Sequence, residues 1–152
     1  MPDMPPRPGT GAVMIIGIDH IGLATHEPAA LAGPLAALGL SHTDAGVALT
    51  YQVGCQFWSD PRRRTQPAVE IVSPLASDST VTRHLATRGP GLHHVAFRVD
   101  QLDAEVNRLR REGFSSVDDR PHPGARPGMR VRFLYLRHPS SLLVELVEYA
   151  PA

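Results

Sequence analysis

Two histidines and two glutamates stand at matched points of this sequence, and their chemistry is that of a divalent-metal site. His20 lies in Ile18-Asp19-His20-Ile21-Gly22 and His94 in Leu92-His93-His94-Val95-Ala96, with an offset of 74 residues. Gly39-Leu40 and Gly113-Phe114 repeat at the same offset, and Glu70 and Glu145 lie 75 apart. Imidazole nitrogen and carboxylate oxygen together suit first-row divalent ions, and an internal repeat that supplies one of each per half implies a symmetric site. For one residue alone other readings stand: a strand histidine can be a hydrogen-bonded core residue, and a strand glutamate can be paired with an arginine. A carboxylate in Val69-Glu70-Ile71-Val72 or Val144-Glu145-Leu146-Val147 costs several kcal/mol to bury unless it is paired or holds a cation.

The elements that must position these groups can be read from periodicity. An apolar, Ile-rich strand runs from Val13 to Ala24, and a helix from Glu27-Pro28 to about Leu38, interrupted by Gly33-Pro34 and stopped by Gly39. Strands are expected over Val47–Val53 and Ala68–Val72, with a loop of Gly54, Pro61, three arginines and Pro67 between them. A helix from Asp78 to Arg88, capped by Ser77 or Asp78, ends at Gly89-Pro90-Gly91. The plan then repeats: a strand over Leu92–Val99, a helix over Leu102–Arg111 with Leu102, Val106 and Leu109 on one face, and strands over Val131–Leu136 and Leu142–Tyr149, with a short one at Ser115–Val117. The fold class is therefore α+β, from two βαβββ modules at about 13–75 and 91–150, joined by a helix over 78–89. Neither half can bury a full core alone, so residues 13–150 should form a single domain around a common cavity, preceded by a proline-rich disordered leader over 1–12.

Strand alternation sets which side chains face that cavity. His20 shares a face with Gly22 and Ala24, and His94 with Ala96, so small residues leave open volume beside each imidazole. The same parity puts His93 on the other face.

Composition narrows the function. The 152 residues carry no formal net charge, which gives no reason to expect a nucleic-acid or membrane partner, and a single cysteine, Cys55, excludes a disulfide framework or a thiolate-rich metal site. No apolar run approaches the roughly 20 residues needed to span a bilayer, and the amino-terminal stretch lacks the apolar core of a signal peptide, so a cytoplasmic protein is expected. All 15 Lys+Arg residues are arginine, which removes lysine as a base or Schiff-base former. Arg62-Arg63-Arg64 reads either as a solvated loop or as a grip on a phosphorylated substrate tail.

These motifs, with Val69-Glu70-Ile71-Val72-Ser73-Pro74-Leu75, Asp78-Ser79-Thr80-Val81 and Gly91-Leu92-His93-His94-Val95-Ala96-Phe97, resemble the vicinal oxygen chelate superfamily, and within it the methylmalonyl-CoA epimerases, from about Ile16 to Tyr149. The resemblance implies a half-barrel cup of glyoxalase/bleomycin resistance-like paired βαβββ modules around one divalent ion (Co, Mn, Ni, Zn or Fe). His20, Glu70, His94 and Glu145 would be its ligands, with Glu70 and Glu145 also the catalytic candidates. It implies a homodimer and a small-molecule substrate, an acyl-CoA or another compound with adjacent oxygens, that is chelated while its enolate is stabilised. The family's strand-borne glutamate base is replaced by Leu49 in Ala45-Gly46-Val47-Ala48-Leu49. That departure keeps open a glyoxalase, lyase or dioxygenase acting on another small metabolite, including one of secondary metabolism, and a non-catalytic binding or resistance protein. Phe57 and Trp58 would line or cover the cup. The loop Pro121-His122-Pro123-Gly124-Ala125-Arg126 is either a plain surface loop or a substrate-covering lid, with Arg126 or Arg130 binding an anion.

Overall fold

A computed structural model describes residues 15–151, so the leader over 1–12 lies outside the described residues. The first half comprises β1 (Ile15–Ala24), a 3₁₀ turn at Pro28–Leu31 leading into α1 (Ala32–Ala37), β2 (Ser41–Ala48), β3 (Val53–Ser59) and β4 (Ala68–Pro74). After α2 (Thr80–Arg88), the second half comprises β5 (Gly91–Val99), α3 (Leu102–Arg111), two short strands β6 (Ser115–Ser116) and β7 (His122–Pro123), then β8 (Met129–Leu136) and β9 (Leu142–Tyr149). The nine strands form one sheet in the order β2-β3-β4-β1-β5-β9-β8-β6, with β7 paired to β8. This is the α+β fold of paired βαβββ modules. Among the described residues no helix is long and apolar enough to cross a membrane.

The middle of the sheet is the seam between the halves. β1 pairs antiparallel with β5, and each of these central strands pairs parallel with the last strand of its own half, β1 with β4 and β5 with β9. Two helices cover the convex face. α3 buries Leu102, Val106 and Leu109 against Leu134, Val144 and Leu146, with Asp103 and Glu105 in its first turn and Arg108, Arg110 and Arg111 in its last, as the helix dipole favours. α1 is short, as Gly33-Pro34 requires, and buries Leu35 against Trp58 and Ile71. α2 instead closes one end of the concave face, where Val81 and Leu85 join Ala24, Val53, Phe57 and Val72. Its cap is Ser79, whose hydroxyl accepts from the Val81 amide, and not Ser77 or Asp78.

The region around β2 and β3 differs from expectation. No strand runs over 47–53. A 3₁₀ turn at Leu49–Tyr51, closed by Gln52 in the left-handed region (φ 53°), reverses the chain between β2 and β3. The first part of the stretch expected as a long loop, residues 54–59, belongs to β3, and the irregular segment shrinks to residues 60–67.

Candidate metal centre

The register across the seam brings the four chemistry-bearing residues together. Gly22 lies opposite His94 on β5 and Glu70 on β4, while Ala96 lies opposite His20 on β1 and Glu145 on β9. Each small residue therefore stands between the other half's histidine and its own half's glutamate, and the side chains converge above it. A Cβ at Gly22 would meet the His94 ring at 2.2 Å, so the close approach requires glycine there.

His20, Glu70, His94 and Glu145 are all buried, and one ligand atom from each lies within 4.8 Å of the others. His20 Nε2 is 3.2 Å from His94 Nε2, 3.1 Å from Glu145 Oε2 and 3.6 Å from Glu70 Oε1. His94 Nε2 is 2.9 Å from Glu145 Oε2 and 3.3 Å from Glu70 Oε1. Neighbouring ligands at about 2.1 Å from one ion, at right angles, are about 3.0 Å apart, so these five donor pairs are spaced close to cis ligands of a six-coordinate cation. The donor set fits such an ion: two imidazoles and two carboxylates with no lysine or arginine among them.

Groups behind the imidazoles orient them. His20 Nδ1 is 2.7 Å from Asp19 Oδ2, and His94 Nδ1 is 2.8 Å from His93 Nδ1. With each Nδ1 engaged, each Nε2 faces the cluster. Burial by itself would push the His20 imidazolium down, but the Glu145 and Glu70 carboxylates and the Asp19 hydrogen bond raise it to about 10. His94 follows the same balance: burial lowers it, and hydrogen bonds and charge from Glu145 and Glu70 raise it to about 9. Burial disfavours the Glu145 carboxylate, yet the facing histidines hold it well below the usual carboxylate range. Without a cation, protons on the imidazoles take its electrostatic place.

The concave face carries two recesses. One, of about 40 Å³, opens onto Glu70, His94 and Glu145 and is walled by Cys55, Val131 and Phe133. The segment after β7 covers it: Gly124 donates to the Met129 carbonyl at 2.8 Å, and Ala125 lies so close to β2 that a Cβ at Gly46 would meet the Ala125 oxygen at 2.1 Å. The other, of about 480 Å³, lies beyond His20 and Phe57 and is lined by Asp19, Arg64, Arg98, Arg126 and Tyr149 among others.

The remaining expected site residues separate. Phe57 is fully buried and lies edge-on to His20, with ring centroids 5.5 Å apart, so it supports the cluster from the side. Trp58 points the other way, into the α1 layer with Leu35 and Ile71, and neither lines nor covers the cup. The reason is the period of two along β3, hidden when residues 54–67 are read as a loop. Arg126 has its guanidinium carbon 3.9 Å from the Phe57 ring centre, donates to the Tyr149 hydroxyl at 2.9 Å and faces Asp19 and Asp44 at 3.6 and 3.4 Å, so it borders the larger recess. Arg130 is half exposed, pairs with Glu148 at 3.4 Å and lies away from the cluster. Leu49 is 81% exposed on its turn.

Sequence reading missed several partners. Asp19 adjoins His20, and strict alternation along β1 would send it to the opposite face; an irregularity in β1 pairing between Ile18 and His20 breaks that alternation. Tyr149 and Arg98, each four residues beyond a cluster member on the same strand, follow from period two. Tyr51 lines the smaller recess and donates to Asp118 at 2.9 Å, a contact across 67 residues without a local signature.

The sequence model of the glyoxalase/bleomycin resistance protein/dioxygenase superfamily matches residues 19–133. A Bacillus subtilis uncharacterised protein, YqjC, is 35% identical over 80 residues, 53% of this chain and 56% of its own length. The mitochondrial methylmalonyl-CoA epimerase of Mus musculus is 37% identical over 79 residues, 51% of this chain and 44% of its own. The chain thus spans about half the length of the curated relatives it matches. Among solved structures, methylmalonyl-CoA epimerase from Mycobacterium tuberculosis superposes with a TM-score of 0.80 at 26% identity, covering 93% of each chain. A variant of the Streptomyces coelicolor epimerase in complex with 2-nitronate-propionyl-CoA gives 0.79 at 29% identity, covering 91% of this chain and 100% of that one.

Proposed function

The chain belongs to the glyoxalase/bleomycin resistance protein/dioxygenase superfamily, and within it we propose a divalent-metal-dependent isomerase, of the epimerase kind, that enolises a small substrate chelated through adjacent oxygens. The observation that carries the reading is the buried cluster of His20, Glu70, His94 and Glu145, with donors at cis-ligand spacing on the wall of a recess. These four would hold the ion, which supplies Lewis-acid stabilisation of the negative charge that develops on the substrate's oxygens.

The chain's own groups then divide the work. Tyr51 and Cys55 line the same recess, and burial pushes both the phenol and the thiol up, so they stay protonated and offer donors only. His93 is pushed down to about 3, by burial and then by His94 and His84, so it is neutral near pH 7. Glu70 and Glu145 are the carboxylates on the wall of the recess, placed to meet a substrate α-proton in addition to holding the ion. The walls of Val131 and Phe133 exclude water from the carbanion face. A volume of about 40 Å³ suits only a few waters, so substrate entry requires the Gly124–Ala125 cover to move off β2, the role of a lid.

Acyl-CoA substrates enter this reading through the epimerase relatives. The test is solvent-deuterium exchange: the protein, assayed for bound metal and incubated in D₂O with methylmalonyl-CoA, should place deuterium at the α-carbon, and His20→Ala should abolish both metal and exchange. Metal binding with an inert α-proton across acyl-CoAs and β-dicarbonyl acids would rule out the epimerase reading. The small recess and the solvent-facing Leu49 favour, as second reading, a lyase, glyoxalase or dioxygenase on a smaller metabolite. Dependence on glutathione or on molecular oxygen would identify it.

A further inference from the structure

The larger recess has a composition that the metal cluster does not account for. It lies on the same concave face, at the end of the strands where β1 begins, separated from the cluster by the buried His20 and Phe57. Its volume of about 480 Å³ falls within the range usual for small-molecule sites, roughly 300 to 1,000 Å³. Three guanidinium groups border it, Arg64 from the turn before β4, Arg98 from β5 and Arg126 from the cover segment, against one lining carboxylate, Asp19.

Asp19 is itself engaged. Its Oδ2 lies 2.7 Å from His20 Nδ1 and accepts from the Tyr149 hydroxyl at 3.0 Å. Arg126 faces Asp19 and Asp44 at 3.6 and 3.4 Å, so the positive charge left facing the open volume is that of Arg64 and Arg98, alongside the Thr65 and Gln66 side chains as further hydrogen-bonding groups. Arg98 stacks over Tyr149, with its guanidinium carbon 4.9 Å from the ring centre, and Arg126 is clamped over Phe57. Two of the three forks are thus held in place before any ligand arrives, which lowers the ordering cost of binding. Arg62 and Arg63, by contrast, turn to Asp60 in their own loop.

We infer that this recess is a second ligand site, specific for a phosphate or diphosphate group of a small molecule and distinct from the metal-facing cavity. Guanidinium forks match the oxygens of a phosphate in pairs, and a diphosphate spans more of the recess and meets more of the arginines. The site stands independently of the reaction proposed above, because none of Arg64, Arg98 and Arg126 belongs to the metal cluster.

The test uses the full chain, metal-free and metal-loaded, titrated calorimetrically with inorganic phosphate and with pyrophosphate at low salt. Pyrophosphate should bind at least about tenfold more tightly than phosphate, and the double variant R64Q/R98Q should weaken it by about tenfold or more. Both substituted side chains are solvent-facing, so the fold and the affinity for metal should be unchanged, which circular dichroism and a metal titration check. R62Q/R63Q should bind as the parent does. Pyrophosphate binding that survives R64Q/R98Q, that disappears with R62Q/R63Q, or that occurs only in the metal-loaded protein would overturn the assignment. So would an absence of binding by the unmodified protein.

Discussion

Metal uptake by this protein should be coupled to the release of two protons over an unusually high pH range. The perturbation is pH itself. In the metal-free protein the His20 and His94 imidazoliums are raised to about 10 and about 9, so near neutrality both carry protons that a cation at the cluster must displace. Each proton released contributes a factor of ten per pH unit to the apparent affinity, so the dissociation constant should fall by about 100-fold per unit up to pH about 9, by about tenfold per unit between about 9 and 10, and then level off. Imidazoles at the ordinary value of 6.5 would give an affinity already flat above pH about 7.5. The assay is a competitive titration with a chromophoric chelator at pH 7.5 and 8.5, with calorimetry in buffers of different ionisation enthalpy to count protons. An affinity constant within about threefold across that interval would refute the coupling. The sign for stability follows from the same values: folded-state pKa values above 6.5 stabilise the metal-free protein fully below pH about 6.5, and this contribution is lost as pH rises through about 9 and 10. The melting temperature of the metal-free protein should accordingly fall between pH 8 and 10 more steeply than that of the metal-saturated protein.

Three further outcomes test the surroundings of the cluster. Gly22→Ala places a methyl group 2.2 Å from the His94 ring and should weaken metal binding by more than about tenfold, with a loss of about 1–3 kcal/mol in urea unfolding. Asp19→Asn removes the charge behind His20 Nδ1 and should lower metal affinity by about 10–100-fold, read by chelator competition, while the circular dichroism spectrum is retained. Arg132→Leu leaves the buried Asp118 carboxylate without its cation at 2.5 Å and should cost about 3–5 kcal/mol in chemical denaturation.

What could be read from the sequence was what period and repetition encode. β1, β5, α3 and β9 carry long, regular patterns, and the offset between His20 and His94 selected His94 over the adjacent His93, the residue that the seam brings to the cluster. The β2–β3 reversal was hidden because Val47 to Val53 reads as one strand-like stretch, with neither glycine nor proline to mark the 3₁₀ turn that Gln52 closes. Losing β3 lost the parity that sends Phe57 to the cluster and Trp58 to the helix layer. Asp118, Arg132 and Tyr51 meet only through tertiary folding, and nothing local announces them.

The antiparallel pairing of β1 with β5 gives the cluster a mechanical meaning. Each half contributes one imidazole and one carboxylate, so an ion bound there would act as a rivet through the joint between two duplicated pieces, and neither piece could retain it alone. A change of a few tenths of an ångström in the sliding of one half on the other would alter every donor-to-donor distance at once. Occupancy by metal and alignment of the two halves are on this account a single variable, and a substitution far along either strand can reach the chemistry by shifting the joint.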